Sequence, residues 1–315
     1  MILITGGLGY LGARLAHALI NKGFNVRITT SRVSPSVPSE LSLCEIVKID
    51  LTDLASIDKS CIGVKTIIHL ASLNSSECEK NPKLAELINS IGTLNILNSA
   101  KKNGVSSFLY FSTAHVYGPD LEGIIYENSP TFPSNSYALS HKLAEEFVFN
   151  SNVTGTLSTC VFRLTNVVGS PLNQNTNCWM LITNDLCRKI SMNQQPEVYA
   201  NKFTKRDFIP MQDVIDSTFH YLNQANNKLG GEIINISSSK PRSLSSICKL
   251  IVDRASITLN KNIIINYKNL TKKSTDKEFY ISNEKALSLG LILKNPLLDE
   301  IDLMMMKYEN WFSKK

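Results

Sequence analysis

The segment Thr5-Gly6-Gly7-Leu8-Gly9-Tyr10-Leu11-Gly12 stands between a short apolar run at 2–4 and a helical pattern over 13–22. A strand that feeds a glycine-rich turn, with the turn opening a helix, constrains a fold far more than the glycines alone would. Gly6 permits the tight turn, Gly9 lets the backbone approach a pyrophosphate, and Gly12 allows close packing of helix on strand. Tyr10 and Leu11 belong to the same turn, where free N–H groups at the helix N-terminus attract an anion. This reads as a dinucleotide-binding turn; the rival reading is a tight turn without a ligand.

Short β-branched runs at 2–4, 26–29, 46–49, 66–70, 108–111 and 159–164 alternate with helical stretches. The alternation predicts a parallel sheet with crossover helices, a Rossmann-type doubly wound α/β fold. Leu84, Leu87, Ile88, Ile91, Leu94 and Leu97 form an apolar stripe through a predicted helix at 83–102, which suits a core or a dimer interface equally. Residues 31–42, with two prolines and five serines, read as a loop. After Gly169 the alternation stops, and helices at 179–190, 211–223, 244–255 and 298–312 with a strand at 232–236 describe a smaller, mixed C-terminal substrate-binding part. The expected domains are 1–165, with 208–236 returning to it, and a cap of 166–207 and 237–315.

The 315 residues suffice for one large domain or two. Lys and Arg exceed Asp and Glu by 33 to 27, too mild and dispersed an excess for a nucleic-acid partner. Seven cysteines stand singly with no C-x-x-C pair, so neither a metal nor a redox motif is expected, and the thiols suit a reducing compartment. No basic leader and no apolar run near the ~18 residues of a membrane span occur, so the expected location is the cytoplasm, away from membranes.

Enzymes that use NAD carry an acidic residue about 20 residues beyond the glycine turn, on the adenosine ribose. Here the second strand ends Thr29-Thr30-Ser31-Arg32. Arg32 suits a 2′-phosphate and Ser31 can donate to it, which favours NADP over NAD; the alternative is a solvated arginine.

The fifth strand runs into Ser112-Thr113-Ala114-His115-Val116-Tyr117-Gly118, and a later helix begins Ser136-Tyr137-Ala138-Leu139-Ser140-His141-Lys142. With the glycine turn, these segments resemble the extended short-chain dehydrogenase/reductase family, and within it the nucleotide-sugar epimerases, dehydratases and reductases. The resemblance implies that Asp50 and Leu51, after the third strand, contact adenine. It places Leu70 and Ala71 beside the cofactor, with Ser72 toward the substrate. Thr113 falls on the catalytic Ser/Thr position and Tyr137 on the catalytic tyrosine.

Moving a hydride at a carbinol carbon requires a proton to move on its oxygen, which a phenol can take or give. A phenol with pKa ~10 is a poor base at neutral pH, and the family corrects this with a lysine four residues later. This chain has His141 there, and Lys142 follows. A residue five after Tyr137 points about 140° away on a helix turning roughly 100° per residue. His141 is therefore the expected ribose-binding and tyrosine-tuning residue, although a histidine of pKa ~6.5 is mostly neutral at pH 7.

Toward the substrate, Arg163-Leu164-Thr165-Asn166-Val167-Val168-Gly169 resembles a segment whose asparagine contacts a sugar nucleotide. Arg206-Asp207-Phe208-Ile209 resembles one whose arginine binds its diphosphate. The alternative for Arg206 is an ion pair with a carboxylate such as Asp207. Lys272 stands where a second phosphate-binding arginine is usual. Dehydratases carry Asp-Glu after the catalytic threonine; Ala114-His115 replaces them, which leaves His115 as a substrate-side donor or a wall residue. The expected activity is NAD(P)-dependent oxidoreduction at a carbinol or keto carbon of a nucleotide sugar, with 4-keto reduction first. A 4-epimerase with retained NAD is the alternative, and a non-catalytic NADP-binding regulator is the rival of another class. A homodimer is expected through the 84–97 stripe and the Tyr137 helix.

Overall fold

In a computed structural model, residues 1–153, 157–223, 230–269 and 277–313 are described. They form two compact units: 1–119, 127–164 and 218–235 make the first, and 120–126, 165–217 and 236–315 the second.

The first unit is built on a seven-stranded sheet of β1 (Ile2–Thr5), β2 (Val26–Thr30), β3 (Glu45–Lys48), β4 (Thr66–His69), β5 (Ser107–Thr113), β6 (Ser158–Leu164) and β7 (Glu232–Ile236). Its order is β7-β6-β5-β4-β1-β2-β3, and the pairings from β3 through β6 are parallel. The order reverses between β1 and β4, where Thr5 pairs with His69. Ligands of open α/β sheets bind at such a reversal, beyond the carboxyl ends of the strands. Helices α1 (Tyr10–Asn21), α2 (Leu54–Cys61), α3 (Gly92–Lys102) and α4 (Ser136–Val153) are the principal helices. Leu3, Ile67, Phe108 and Val161 of the sheet share a core with Ile57 of α2, Leu97 of α3 and Val148 of α4. These strands are apolar on both faces because helices cover both, which is why they read as continuous β-branched runs.

The expected single helix at 83–102 is three pieces: Pro82–Ala85, a π-helical stretch Glu86–Ile91, and α3. The wider turn shifts the register, so the apolar stripe does not stay on one face. Leu84 and Leu87 are exposed while Leu97 is fully buried. The surface turned to α4 is polar: the Ser90 hydroxyl donates to Ser140 O at 2.8 Å and the Asn89 amide to Ser140 Oγ at 3.0 Å. The 31–42 loop also holds a short 3₁₀ turn, Ser39–Leu41, which buries Leu41.

The second unit packs α5 (Ile182–Ser191), α7 (Leu244–Leu259) and α8 (Leu297–Phe312) around Ile190, Ile251, Met304 and Tyr308; α6 (Met211–Asn223) runs from this unit into the first. The expected helix at 179–190 starts at Ile182, leaving Trp179 before it. Two assignments of chain to unit differ from the sequence expectation. Residues 120–126 belong here because the strand Gly123–Ile125 pairs with Phe279–Ile281. Residues 208–217 belong here too, because Phe208–Pro210 pairs with Asn166–Val168. Three-residue strands carry too little periodicity to be read from sequence. No helix among the described residues is long and apolar enough to cross a membrane.

Candidate active site

The glycine turn is shaped by absent side chains. Gly6 has φ +66°, and a Cβ there would lie 3.1 Å from Ala71 Cα; at Gly12 it would lie 2.4 Å from the Gly6 carbonyl oxygen. Gly9 ends the turn as the cap of α1, whose first turn has no acidic residue and no side-chain cap. Tyr10 is half-buried and Leu11 buried in that turn. Gly7 escaped sequence reasoning: a Cβ there would fall 2.4 Å from Ile28 Cβ of β2. The motif leaves that position open, so only the packing reveals the need.

Beside the turn, Thr5 and His69 form a closed chain of protons. Thr5 Oγ1 accepts the N–H groups of Leu70 and Ala71, both at 3.1 Å, so its own hydrogen goes to His69 Nδ1 at 2.7 Å. His69 Nε2–H then donates to Thr93 Oγ1 at 3.0 Å, and Thr93 donates to Asn89 O at 2.6 Å. Burial first, and the neighbouring His141 second, lower the His69 pKa to about 3. This chain holds 69–71 against the glycine turn. A polar residue ending an apolar strand was the available signal for it.

Ser31 and Arg32 stand exposed after β2, and the Arg32 N–H donates to Thr30 Oγ1. Asp50 is exposed after β3; Thr52 donates to its carboxylate from N–H at 2.8 Å and hydroxyl at 2.7 Å, which lowers its pKa. Leu51 turns its side chain into the core, and Ser72 is exposed.

Asn135 caps α4 by accepting the Ala138 N–H at 2.8 Å, which puts Tyr137 in the first turn. There the positive end of the helix dipole favours a phenolate modestly. The Tyr137 phenol bonds to Thr113, whose Oγ1 also accepts the His115 N–H. Burial pushes the Tyr137 pKa up to about 12, against the lowering effect of Thr113. One turn on, the His141 ring lies edge-on to Tyr137 at 4.5 Å. Burial, then the charge of His115, lower its pKa to about 3. Its Nδ1 bonds to the Tyr110 hydroxyl at 2.7 Å, while its Nε2 is buried without a partner. Lys142 turns away, to Glu146 at 2.6 Å and Glu145 at 3.7 Å. Lys142 therefore lends its charge to these carboxylates. His115 is exposed, its ring 6.1 Å from Tyr137.

Behind the helix, Arg163 grips buried Glu145 through two bonds of 2.9 and 2.7 Å, and Ser112 donates to Glu145 at 2.5 Å. Arg163 also donates to Tyr117, and Tyr117 to Asn235. Removing either partner of such a buried pair strands a charge, so this network fixes the bearing of α4 on β5 and β6.

In the second unit, Asn166 donates from N–H and side-chain amide to Asp207 O, at 3.1 and 2.8 Å. The Asp207 carboxylate is filled by Thr165, Ser238 and the Lys240 N–H. Arg206 is thus not neutralised by its neighbour and stands exposed. Asp207, unassigned by sequence, is what joins the two expected substrate residues. Lys272 lies outside the described residues.

A protein of Methanocaldococcus jannaschii, provisionally named a UDP-glucose 4-epimerase, is 28% identical over 254 residues, 80% of this chain and 81% of that one. The GDP-6-deoxy-D-mannose reductase of Pseudomonas aeruginosa is 29% identical over 203 residues, 61% of this chain and 64% of its own. The chain spans 49% of the UDP-glucose 4-epimerase of Azospirillum brasilense that it matches. Among solved structures, UDP-glucose 4-epimerase of Thermotoga maritima with UDP-glucose superposes with a TM-score of 0.85, at 20% identity, over 98% of this chain and 99% of that one. That likeness speaks for the fold. Residues 2–237 match the family model of the NAD-dependent epimerases and dehydratases, so the chain belongs to the NAD-dependent epimerase/dehydratase family.

Proposed function

We propose that this chain reduces a keto carbon, at C4 of a nucleotide-activated sugar, with NADPH as the cofactor. The observation that carries the reading is the Thr113–Tyr137 hydroxyl pair, whose phenol is held protonated beside a neutral His141. The glycine cradle, the α1 N-terminus without a carboxylate and the unpartnered His141 Nε2 all fit a nicotinamide dinucleotide. When bound, that group supplies the hydride. Tyr137 donates the proton to the substrate oxygen, and Thr113 orients that oxygen and steadies the phenolate left behind. Asn166 and Arg206 hold the sugar nucleotide, with Lys272 and His115 as further contacts. A phenol of raised pKa rests protonated at neutral pH, the form in which reduction begins.

NADPH over NADH is supported by the exposed Ser31 and Arg32 after β2 where a carboxylate would select NAD. The seven cysteines are free thiols, as suits the cytoplasm. Leu84, Leu87 and Leu139, exposed on neighbouring helices, supply a surface for a homodimer. The names of the relatives favour a second reading, a 4-epimerase that keeps NAD bound. Mass spectrometry of the purified protein, assay of UDP- and GDP-4-keto sugars with added NADPH, and assay of UDP- and GDP-sugars without added cofactor separate the two. Stoichiometric NADPH consumption supports the reductase. Turnover without added cofactor, from protein carrying NAD, overturns it in favour of the epimerase.

A further inference from the structure

Of the two buried histidines, His69 has both ring nitrogens satisfied, while His141 has only one. Its Nδ1 meets the Tyr110 hydroxyl at 2.7 Å; its Nε2 has no partner and no solvent, in a residue that is 2% exposed. Two proton arrangements fit that bond. If Nδ1–H donates to Tyr110, the phenol hydrogen has no acceptor inside the core, and the Nε2 lone pair is idle as well. If Tyr110 donates to Nδ1, the phenol is satisfied and a single Nε2–H remains. A buried unsatisfied donor costs about 1–3 kcal/mol, so the second arrangement is favoured by one such group. Burial keeps both groups neutral, raising Tyr110 well above its usual pKa and lowering that of His141. Tyr110 has little freedom to turn away, because its ring is stacked between His69 at 5.9 Å and His141 at 6.0 Å.

We propose that Tyr110 is a positioning residue: its phenol donates to Nδ1, fixes His141 as the neutral Nε2–H tautomer, and so holds a donor for a hydroxyl of the cofactor ribose. The proposal rests on the cofactor reading above and adds a residue and a charge state to it. A neutral N–H keeps the hydrogen bond that a lysine would make to the ribose. It withholds the positive charge that a lysine would lend to a tyrosinate. The site retains cofactor binding and gives up tyrosine activation, in agreement with a Tyr137 that stays an acid.

Side-chain ¹⁵N spectra of the full chain distinguish the tautomers. With five histidines in the sequence, His141 is assigned by its loss in His141→Gln. The expected result at neutral pH is a protonated Nε2 and an acceptor Nδ1, with the Nε2 signal moving on titration with NADPH or NAD. Tyr110→Phe is expected to mix the tautomers and weaken nucleotide binding about tenfold, the size of one hydrogen bond, while His69 keeps its tautomer. A proton on Nδ1 in the unaltered protein overturns the proposal, whether or not Tyr110→Phe folds. Nucleotide binding that leaves the His141 signal unmoved overturns it while the cofactor reading stands. Failure to bind either nucleotide overturns both.

Discussion

The glycine turn and the first turn of α4 shape the first unit's site by opposite means. At Gly6, Gly7 and Gly12 the geometry follows from what the backbone has no room for: a Cβ would meet Ala71, Ile28 or the Gly6 carbonyl. At Tyr137 and His141 the space is filled, and the outcome depends on where each proton sits and how little solvent reaches it. Steric exclusion tolerates no substitution but is indifferent to pH. The proton arrangement tolerates shape changes but responds to charge.

The largest effect is expected at the proton-dependent end. Tyr137→Phe should lower turnover about 10²- to 10⁴-fold while nucleotide affinity, read by fluorescence titration, stays within roughly threefold. A matching loss of affinity would mean that Tyr137 shapes the site as the glycines do. Next comes the steric end. Gly12→Ala should cost about 1–3 kcal/mol in urea unfolding, since backbone must shift, and should weaken nucleotide binding at every pH tested.

Acid separates the two regions further. His69 and His141 each have a folded pKa of about 3 against an ordinary 6.5, so between those values the unfolded chain binds more protons than the folded one. Stability is therefore complete above pH 6.5 and falls as the pH drops toward 3. At pH 5.5 the loss should be about 1 kcal/mol per buried histidine, measured by urea unfolding, and His141→Gln should remove about half of it. Unaltered stability from pH 7 to 5.5 would mean the rings accept protons in place. The smallest effect is expected at Lys142: Lys142→Ala loses a surface pair with Glu146, within about 0.5 kcal/mol, and leaves nucleotide affinity unchanged. A large loss of affinity there would return the lysine role to Lys142.

The parallel sheet was legible because each strand is a compact apolar run bounded by turn residues, and its strand at 232–236 was found as far from the others as it lies. The pairing of Gly123–Ile125 with Phe279–Ile281 was not, since three residues joined across more than 150 carry no local signal. The apolar stripe of 84–97 misled for a related reason: Asn89 and Ser90 of the π-helical stretch bond to partners that lie elsewhere in the chain.

The order of residues alone determined the glycine turn and the exclusion of Lys142 from the Tyr137 face, because strand alternation and helical pitch act over a few residues; the roles expected of Thr113 and Tyr137 came from the family resemblance. Only the tertiary structure decided the charge at the site. Whether a histidine carries a proton depends on what surrounds it. His141 is surrounded by Tyr110 from β5 and Tyr137 from its own helix, with no carboxylate bonded to either nitrogen. Long-range packing set that environment, which lowers the His141 pKa and leaves its Nε2 without a partner.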